Sequence, residues 1–570
     1  MAEEVWMLQT KKADFKQIGA RFRIDPVTAR IIRNRGIEGE AAIDRYLNGT
    51  LDDLYDPMLL KDMERAVSIL CEAVDTGKKI RIVGDYDIDG VCSTYILLQA
   101  FERLGSDVDF EIPDRIKDGY GINESIIEQA HADGVEVILT CDNGISAFHQ
   151  VELAKKYGMT VVITDHHEVP LDGEKEKIPP ADAVIDPKQA DCPYPFPEIC
   201  GAVVAYKLVQ VLYARRGVPQ MEWLDLLEFA AIATVGDVMK LQDENRILVK
   251  YGLKKMAQTK NLGLRRLAEK NNLDLGAITA YHIGFVIGPC LNAGGRLKTA
   301  KEALALLRAQ SEEEAERLAE ELKELNDTRK DMTEQGTEAA KLQVESWYQK
   351  DKVLVVFLPE CHESLAGIIA GRLREYYQKP AIVLTRGEEA VKGSGRSIDE
   401  YHMFKKLTEV SDLLLKFGGH PLAAGLSLEE KNIDEFRRRL NENAGLTEED
   451  FKAKVWIDVP MPVGYVTERL VRELSCLEPF GQGNEKPLFA EKSLRIRASR
   501  VLGRNRNVVK MTLEETDGHA IEALYFGDGT AFEEECAGRR EIDVVYYPDI
   551  NEYNGRKTLQ AVIRRYKFRG

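Results

Sequence analysis

"RIVGDYDIDGVCST", residues 81–94, ends a β-rich apolar run with three aspartates at alternate positions. Asp85, Asp87 and Asp89 repel one another unless a cation lies between them or water solvates each of them freely. The stretch therefore indicates either a cation-binding site at the end of a strand or a freely hydrated turn. The neighbouring strands decide between these two readings.

Three β-rich apolar runs precede polar residues between positions 78 and 168. They are "KKIRIV" (78–83), "VEVILT" (135–140) and "MTVVIT" (159–164), with helix-period stretches such as "VCSTYILLQAFERLG" between the first two. Strands and helices that alternate through short links predict βαβ units and a parallel sheet. The predicted fold class is therefore α/β, with helical patterns dominant from about 200 to 345.

The second half of the chain predicts three further parts. Residues 311–346 start with a cap-like Ser followed by acids, which favours one long connecting helix. A smaller α/β segment follows, and it contains two Gly-rich elements, "GSGRS" (393–397) and "GGHPLAAG" (418–425). From about 455 the pattern alternates like a small antiparallel β-barrel. Short helices with a polar surface are expected over residues 1–50, packed on the core.

Composition limits the class of protein. A chain of 570 residues is too long for one core and predicts three or four domains. The N-terminus lacks a signal-peptide pattern, and the longest apolar runs are about half of a membrane span. Nine cysteines without a CxxC pair argue against a disulfide framework or a zinc ribbon. A cytoplasmic location is expected.

The net charge of −17 at first disfavours a nucleic-acid partner, but the local charge differs. Residues 492–510 contain seven basic residues and no acid, and residues 556–569 contain six basic residues and no acid. Each stretch alone fits a solvated strand face as well as a binding surface. Two of them in one terminal domain favour a groove that follows a phosphate backbone.

Polar clusters of one kind follow the three early strands. Gly84–Gly90 follows the first strand, Cys141–Gly144 the second, and Asp165–Glu168 the third, while Asp237 follows the apolar helix "FAAIATV". The carboxyl ends of parallel strands meet at one sheet edge, so Asp and His side chains are delivered to one place. Singly, "DNG" is usually a turn and a His pair is usually on the surface. Together they predict a binding site.

Carboxylates with one or two imidazoles, and no thiolate pattern, suit Mn²⁺ or Mg²⁺ better than zinc. Sites with several shared aspartates hold two such ions in enzymes of phosphoryl transfer. The sequence therefore predicts a site that can hold two divalent cations, an arrangement used for phosphoryl transfer.

The motifs "DYDIDG", "DNG", "DHH" and "GD", in this order, resemble the four metal motifs of the DHH phosphoesterase family. The two Gly-rich elements resemble its accompanying DHHA1 substrate-binding domain. Further stretches, "IPDRIKDGYGIN" (112–123), "AVIDPKQADCPYPF" (183–196) and "GPCLNAGGRL" (288–297), are similar to the single-strand-specific bacterial exonucleases of this family. The resemblance covers nearly the full chain, from about residue 34 to the terminal barrel, which resembles an OB-fold.

This resemblance implies a role for each matched residue. One metal ion would be held by Asp87 and Asp142, with Asp142 bridging to a second ion held also by Asp89, His166 and Asp237. Other members of the family often have a His at the start of the first motif, where this chain has none. Asp85 is the residue that could complete that shell, directly or through water. His167 is expected to contact the scissile phosphate.

The same resemblance implies that the substrate phosphate is bound by residues beside glycines: Arg296, Arg396, Ser397 and His420. Glycine lets backbone N–H groups approach anionic oxygens, and Arg supplies a bidentate fork. Without the family match, tight turns with an exposed Arg would explain these motifs equally well.

The domains expected from the resemblance are an N-terminal helical segment (1–50), a DHH domain (51–310), a connecting helix (311–349), a DHHA1 domain (350–450) and an OB-like domain (455–570). The OB-like domain would bind single strands through its basic stretches and through aromatic residues of "ALYF" (523–526) and "VVYYPDINEY" (544–553).

The implied activity is 5′→3′ exonuclease hydrolysis of single-stranded DNA to 5′-mononucleotides, in DNA repair and recombination. A monomer is expected, with a RecQ-type helicase and a single-strand-binding protein as candidate partners. Two alternatives are a nanoRNase or cyclic-dinucleotide phosphodiesterase of the same family and a non-catalytic Cdc45-like binding protein. The terminal domain argues against the first alternative, and the retained metal motifs argue against the second.

Overall fold

The computed structural model describes residues 4–119, 121–553 and 555–569. Tyr120, which belongs to the quoted stretch 112–123, and the outermost residues of the first and last predicted domains lie outside the described residues. So does the side chain of Tyr553. The chain divides into two compact units, the first comprising mainly residues 54–239 and 247–453, and the second residues 4–53, 240–246 and 454–570.

The N-terminal segment belongs to the second unit. It contains one strand and three helices: β1 Glu4–Leu8, α1 Phe15–Phe22, α2 Pro26–Asn34 and α3 Glu40–Asn48. Asp25 caps α2, because its side chain accepts from the Val27 N–H and Pro26 follows at the first helical position. The short helices are therefore as the sequence predicts, while β1 was not expected.

The first unit begins with a five-stranded parallel sheet in the order β3-β2-β4-β5-β8. Its strands are mainly apolar and, apart from the half-buried β3 and the first residue of β5, buried, as expected for a sheet covered on both faces. The elements are α4 Met63–Thr76, β2 Ile80–Val83, α5 Ile88–Arg103, β3 Val108–Glu111, α6 Glu124–Ala132, β4 Val137–Cys141, α7 Phe148–Lys156, β5 Thr160–Thr164, β6 Leu171–Asp172, β7 Lys175–Glu176 and β8 Ala183–Ile185.

A helical region follows the sheet. It consists of α8 Gly201–Arg216, α9 Gln220–Leu224, α10 Leu227–Gly236, α11 Asp243–Met256, α12 Leu262–Lys270, α13 Ala280–His282, a π-helical stretch Ile283–Ile287, α14 Gly288–Leu297, α15 Lys301–Arg308 and α16 Glu312–Gln343. The predicted long helix is α16, and the Ser311 hydroxyl caps it by accepting from the Glu314 N–H at 3.2 Å. Three glutamates in its first turn interact favourably with the positive, N-terminal end of the helix dipole.

The smaller α/β segment packs a mixed five-stranded sheet, ordered β12-β13-β11-β10-β9, against α16 and α17. Only the β9–β10 pair is parallel. Its elements are β9 Leu354–Phe357, α17 Glu363–Tyr377, β10 Ala381–Arg386, β11 Val391–Arg396, α18 Met403–Thr408, β12 Leu414–Gly419, β13 Ala423–Leu428 and α19 Ile433–Glu442. The motif "GSGRS" is therefore mostly strand.

The C-terminal segment of the second unit forms a closed five-stranded barrel, because β16 pairs with both β17 and β19. Its apolar core also includes Ile31, Ile32, Ile43 and Tyr46 of the N-terminal helices. The sequence placed that segment on the core without identifying this partner. The elements are β14 Ala453–Ile457, β15 Val459–Pro460, α20 Glu468–Leu474, β16 Phe489–Leu502, β17 Val508–Glu514, β18 Ala520–Phe526, α21 Gly529–Cys536, β19 Glu541–Tyr553 and β20 Arg556–Phe568.

The two basic stretches lie on β16, the start of β17 and β20, where most of their cations are exposed. Several of them pair with acids that are distant in sequence, as in the pairs Arg497–Glu514 and Arg569–Asp543. Among the predicted aromatics, Tyr546 belongs to the barrel core, whereas Phe526 is exposed. The free positive charge of this surface is thus smaller than the linear count suggests.

No described helix is long and apolar enough to cross a membrane. All nine cysteines lie in the described residues, and all are free thiols.

Glu228, in the first turn of α10, carries a buried carboxyl group. One oxygen accepts from the Thr259 hydroxyl at 2.7 Å, and Oε2 has no hydrogen-bond partner among the described residues. Burial raises the pKa of Glu228 to about 7. Burial of this carboxyl group therefore opposes folding increasingly as pH rises from about 4.5 to about 7.

We expect Glu228→Gln to stabilise the chain at pH 8 but not at pH 5. The folded pKa lies above the unfolded one, so the wild type loses stability as pH rises from about 4.5 towards 7, by roughly 2–3 kcal/mol. Gln keeps the acceptor for Thr259 and has no such dependence. Denaturant unfolding of both variants at the two pH values measures this difference, with Glu174→Gln, on an exposed loop, as the control. A difference in unfolding free energy between Glu228→Gln and the wild type that does not change with pH would contradict the raised pKa of Glu228.

Candidate metal centre and anion-binding cleft

Asp87 and Asp89 lie where β2 passes into α5. Asp87 caps the helix, since its Oδ1 accepts from the N–H groups of Asp89 at 2.9 Å and Gly90 at 3.1 Å. Asp89 is fully buried and accepts from the N–H groups of Gly201 at 2.7 Å and Ala202 at 2.8 Å, at the start of α8. Backbone donors at a helix N-terminus stabilise an ionised carboxylate in this position.

Asp142 follows β4 and faces the same point. Its φ of 60° is left-handed, a conformation that Asp tolerates better than most residues. The backbone there packs so closely on α8 that a Cβ at position 201 would lie 2.7 Å from the Asp142 Cβ, so position 201 requires glycine. His166 Nε2 lies 3.0 Å from Asp142 Oδ1, 3.4 Å from Asp89 Oδ2 and 3.8 Å from Asp237 Oδ2.

Three overlapping groups of metal-ligand atoms result. In each group the ligand atoms lie within 4.8 Å of one another: Asp85, Asp87 and Asp142; Asp89, His166 and Asp237; and Asp142, His166 and His167. The five residues predicted as ligands therefore converge, and Asp85 converges with them. Asp142 is common to two of the groups.

The carboxylates of this cluster repel one another. Burial, together with the charge of Asp89, raises the pKa of Asp142 well above its usual range. Burial, together with Asp87, raises the pKa of Asp85 to about 8, and burial with Asp89 raises that of Asp237 to about 8. Burial lowers the pKa of His166, which favours the neutral imidazole that a metal ion binds.

These residues fit divalent cations. Buried carboxylates that raise one another's pKa repel each other, and a divalent cation would relieve this repulsion, while the neutral imidazole of His166 can bind it. Oxygen donors with one or two nitrogens are the ligands that Mn²⁺ accepts, and oxygen donors suit Mg²⁺.

His167 is held differently from His166. Its Nδ1 lies 2.7 Å from Asp165 Oδ1, and Asp165 also accepts from the Ile145 N–H at 2.9 Å. Desolvation alone would lower the pKa of His167, but the hydrogen bond to Asp165 and the nearby carboxylates raise it to about 9. In the metal-free chain these interactions favour the protonated form of His167, which can interact with an anion.

An arginine-rich cleft lies between the α/β domain and the smaller α/β segment, within the first unit. Its volume is about 390 Å³, and Arg115, Arg296, Arg372 and Arg396 line it. Arg296 reaches across and donates to the Ser364 carbonyl at 3.0 Å. Burial and the neighbouring Arg115 lower the pKa of Arg296 to about 10, since these cations repel one another. The cleft is therefore suited to an anion such as phosphate.

Two of the predicted phosphate ligands lie elsewhere. The Ser397 hydroxyl donates to the Tyr401 carbonyl, and Ser394 lines the cleft in its place, 3.2 Å from Arg396 Nη1. His420 is exposed at the turn between β12 and β13. Lys188 chiefly, and His420 to a smaller extent, lower the pKa of Glu168, so His420 lies near the "DHH" motif.

Several residues of the site were not identified from the sequence. Asp165 orients His167, while Arg115 and Ser394 line the cleft. Asn143 donates to the carbonyls of Val83 and Cys141 and so ties two strand ends together. Asp165, Asn143 and Arg115 lie inside the motifs "DHH", "DNG" and "IPDRIKDGYGIN". The sequence therefore marks their positions, but it does not show which residues they contact.

Three family models match the chain. They are the "DHH family, N-terminal domain" at residues 79–234, the "DHHA1 domain" at 350–445 and the "RecJ OB domain" at 457–565. The first two cover the candidate metal ligands up to His166 and the Arg396 strand, and the third covers the barrel.

The chain is also similar to known proteins along most of its length. It is 36% identical to the single-stranded-DNA-specific exonuclease RecJ of Bacillus subtilis, over 98% of this chain and 70% of the relative. The crystal structure of RecJ from Thermus thermophilus in complex with Mn²⁺ matches with a TM-score of 0.84 at 28% identity, over 99% of this chain and 79% of that one. The corresponding Mg²⁺ complex matches with a TM-score of 0.77 at 27% identity, over 99% of this chain and 78% of that one.

Proposed function

Because this chain belongs to the RecJ family of single-stranded-DNA-specific exonucleases, we propose that it hydrolyses single-stranded DNA from the 5′ end and releases 5′-mononucleotides. The observation that carries the proposal is a cluster of aspartates and histidines in the same unit as an arginine-lined cleft. Such a pairing suits a phosphodiester. The arginines would bind its negative charge, and the aspartates and histidines would surround its reacting phosphorus.

Two divalent cations, Mn²⁺ or Mg²⁺, are the proposed cofactors. Asp87 and Asp142, with Asp85, would hold one ion, and Asp89, Asp142, His166 and Asp237 would hold the other. Bound cations of this kind polarise the phosphoryl group and acidify the attacking water.

The protein's own groups position the reactants. The amides of Gly201 and Ala202 hold Asp89, and the hydrogen bond to Asp165 fixes the ring of His167, which would contact the scissile phosphate. Arg296 and Arg396 bind phosphoryl oxygens, with Arg115 beside them. Fixed donors of this type stabilise developing negative charge by a few kcal/mol each. Ser397 would act indirectly, by fixing the loop after Arg396. His420 would contribute to phosphate binding from the turn between β12 and β13.

The alternatives are less well supported. A nanoRNase or cyclic-dinucleotide phosphodiesterase has no need of the barrel that matches the RecJ OB domain. A non-catalytic Cdc45-like protein has no need of the converging carboxylates. We further propose that the enzyme acts as a cytoplasmic monomer in DNA repair and recombination, with a RecQ-type helicase and a single-strand-binding protein as partners.

Digestion of end-labelled nucleic acids tests the proposal. We expect Mn²⁺ or Mg²⁺ to support release of labelled mononucleotide from 5′-labelled single-stranded DNA, with little release from duplex DNA, RNA or dinucleotides. Excess EDTA should abolish the release, and added Mn²⁺ should restore it. Preferred hydrolysis of dinucleotides would favour the small-substrate alternative, and initial release from a 3′ label would refute the polarity.

A further inference from the structure

Two large aromatic side chains are exposed and stacked on each other before α14. Tyr281 is 63% exposed and Phe285 is 68% exposed. Their ring centroids lie 4.7 Å apart with an interplanar angle of 28°. Because they are four residues apart, both lie on one face of the helical segment. Aromatic side chains of this size are normally largely buried, so an exposed stacked pair calls for a partner.

The segment that carries the pair packs on the end of α10. Phe285 lies in the π-helical stretch Ile283–Ile287, a rare geometry that occurs often at functional sites. A Cβ on Gly284 would lie 3.7 Å from Val235 Cγ1, in van der Waals contact, and Val235 precedes Asp237 by two residues. A Cβ on Gly288 would lie 3.3 Å from Ile88 Cδ1, between Asp87 and Asp89. The segment that carries the aromatic pair thus packs, through Gly284 and Gly288, against the elements that carry the candidate metal ligands.

Val238 adds a second unusual feature at this place. It follows Asp237 with a φ of 58°, and its side chain is 66% exposed. A β-branched residue in the left-handed region is strained, and such strain persists only where the surrounding structure determines it. The strained turn presents an apolar side chain to solvent beside a metal ligand.

We propose that Tyr281, Phe285 and Val238 form a stacking platform for unpaired bases next to the scissile phosphate. This inference rests on the proposed function, and it assigns to these three residues the binding of nucleobases rather than phosphate. The occupant is the substrate strand, because the segment that carries the rings packs on Val235, two residues before the candidate metal ligand Asp237. Every base has a π-face, so stacking accepts all four nucleotides, as an exonuclease requires, and excludes bases that are already paired in a duplex.

Steady-state hydrolysis of single-stranded oligonucleotides tests the platform. The double variant Tyr281→Ala/Phe285→Ala should raise KM by about 10- to 100-fold, the cost of one or two lost base stacks. Tyr281→Phe/Phe285→Tyr should retain the wild-type KM. Trp347→Ala, which removes another exposed aromatic side chain of the same unit, is the matched control and should also retain it. Because both rings are exposed, the thermal unfolding midpoint of the double variant should equal that of the wild type.

Abasic substrates separate stacking from other effects. We would move one abasic residue through the first six positions from the attacked end. The wild type should lose affinity at the stacked positions, and the double variant should be insensitive there. A double variant with wild-type KM, or one that still distinguishes the abasic substrates as the wild type does, would overturn the platform. A wild type that does not hydrolyse single-stranded DNA would instead refute the proposed function.

Discussion

Asp142→Asn is expected to lower turnover of single-stranded DNA by about 10³-fold or more, above the 10²–10³-fold loss typical of one missing transition-state donor. Asp142 is the carboxylate shared between the two halves of the cluster, so its loss affects both proposed ion sites. Asn keeps the side-chain size and tolerates the left-handed φ of 60° at this position. The backbone contact with Gly201 is therefore preserved.

The same change should not destabilise the metal-free chain. Burial and the charges of neighbouring aspartates raise the pKa of Asp142, so replacing it with a neutral group removes an unfavourable interaction. We expect the thermal midpoint in EDTA to be equal to or higher than that of the wild type. The increase that Mn²⁺ gives to the wild type should be reduced, because a ligand stabilises only the folded state that binds it.

Turnover and thermal unfolding, each with and without Mn²⁺, check this prediction. Asp172→Asn, on an exposed hairpin of the same domain, is the matched control and should leave both measurements unchanged. Turnover of the Asp142 variant within tenfold of the wild type would exclude a shared ligand at this position.

Arg396→Ala is expected to reduce kcat/KM on single-stranded DNA by about 10- to 100-fold, the range for a lost hydrogen bond to a charged group. Arg396 lines the anion-binding cleft, where its guanidinium donates to the Gly395 carbonyl and lies 3.2 Å from Ser394 Oγ. These contacts hold the guanidinium in place before the substrate binds. Arg396→Lys keeps the charge but loses the planar fork, so its loss should be intermediate.

Gly367→Ala gives an independent test of the same cleft. A Cβ at position 367 would lie 2.8 Å from Arg396 Nη2 and 2.9 Å from Ser394 Oγ, so the guanidinium must move. This variant should reproduce part of the Arg396→Ala defect without removing a charge. Arg438→Ala serves as the control, because the Arg438 side chain forms ion pairs with Glu435 and Glu442 on the surface of α19. If kcat/KM of both cleft variants equalled that of the control, Arg396 would have no role in binding phosphate.

The strand ends explain why the convergence of the candidate metal ligands could be predicted from the sequence. Parallel strands align their carboxyl ends, so Asp87, Asp142 and His166 had to converge once β2, β4 and β5 were recognised. Asp237 was already a candidate from the sequence, but its role as a ligand came from the family resemblance, because a helix end has no fixed position relative to a sheet edge. The resemblance also supplied Arg296 and Arg396 as proposed phosphate ligands.

The serine of the anion-binding cleft shows where the reading of the sequence was incomplete. "GSGRS" was treated as a Gly-rich element, but residues 391–396 form β11. Side chains two apart on a strand share a face, so Ser394 lies with Arg396, while Ser397 lies beyond the strand and bonds to Tyr401. A strand assignment would have selected Ser394. Arg115 lies in a loop, whose course depends on tertiary contacts rather than on any periodic pattern.

The shared core of the N-terminal helices and the C-terminal barrel affects how the chain folds during its synthesis. Ile31, Ile32, Ile43 and Tyr46 emerge from the ribosome first, yet their apolar partners from Val459 onwards emerge about 400 residues later. At 5–20 residues per second, this delay is on the order of half a minute. The N-terminal helices therefore expose an apolar face while the first unit is synthesised. We expect chaperones to bind this face during the delay. The isolated barrel, expressed without them, would expose the same face to solvent.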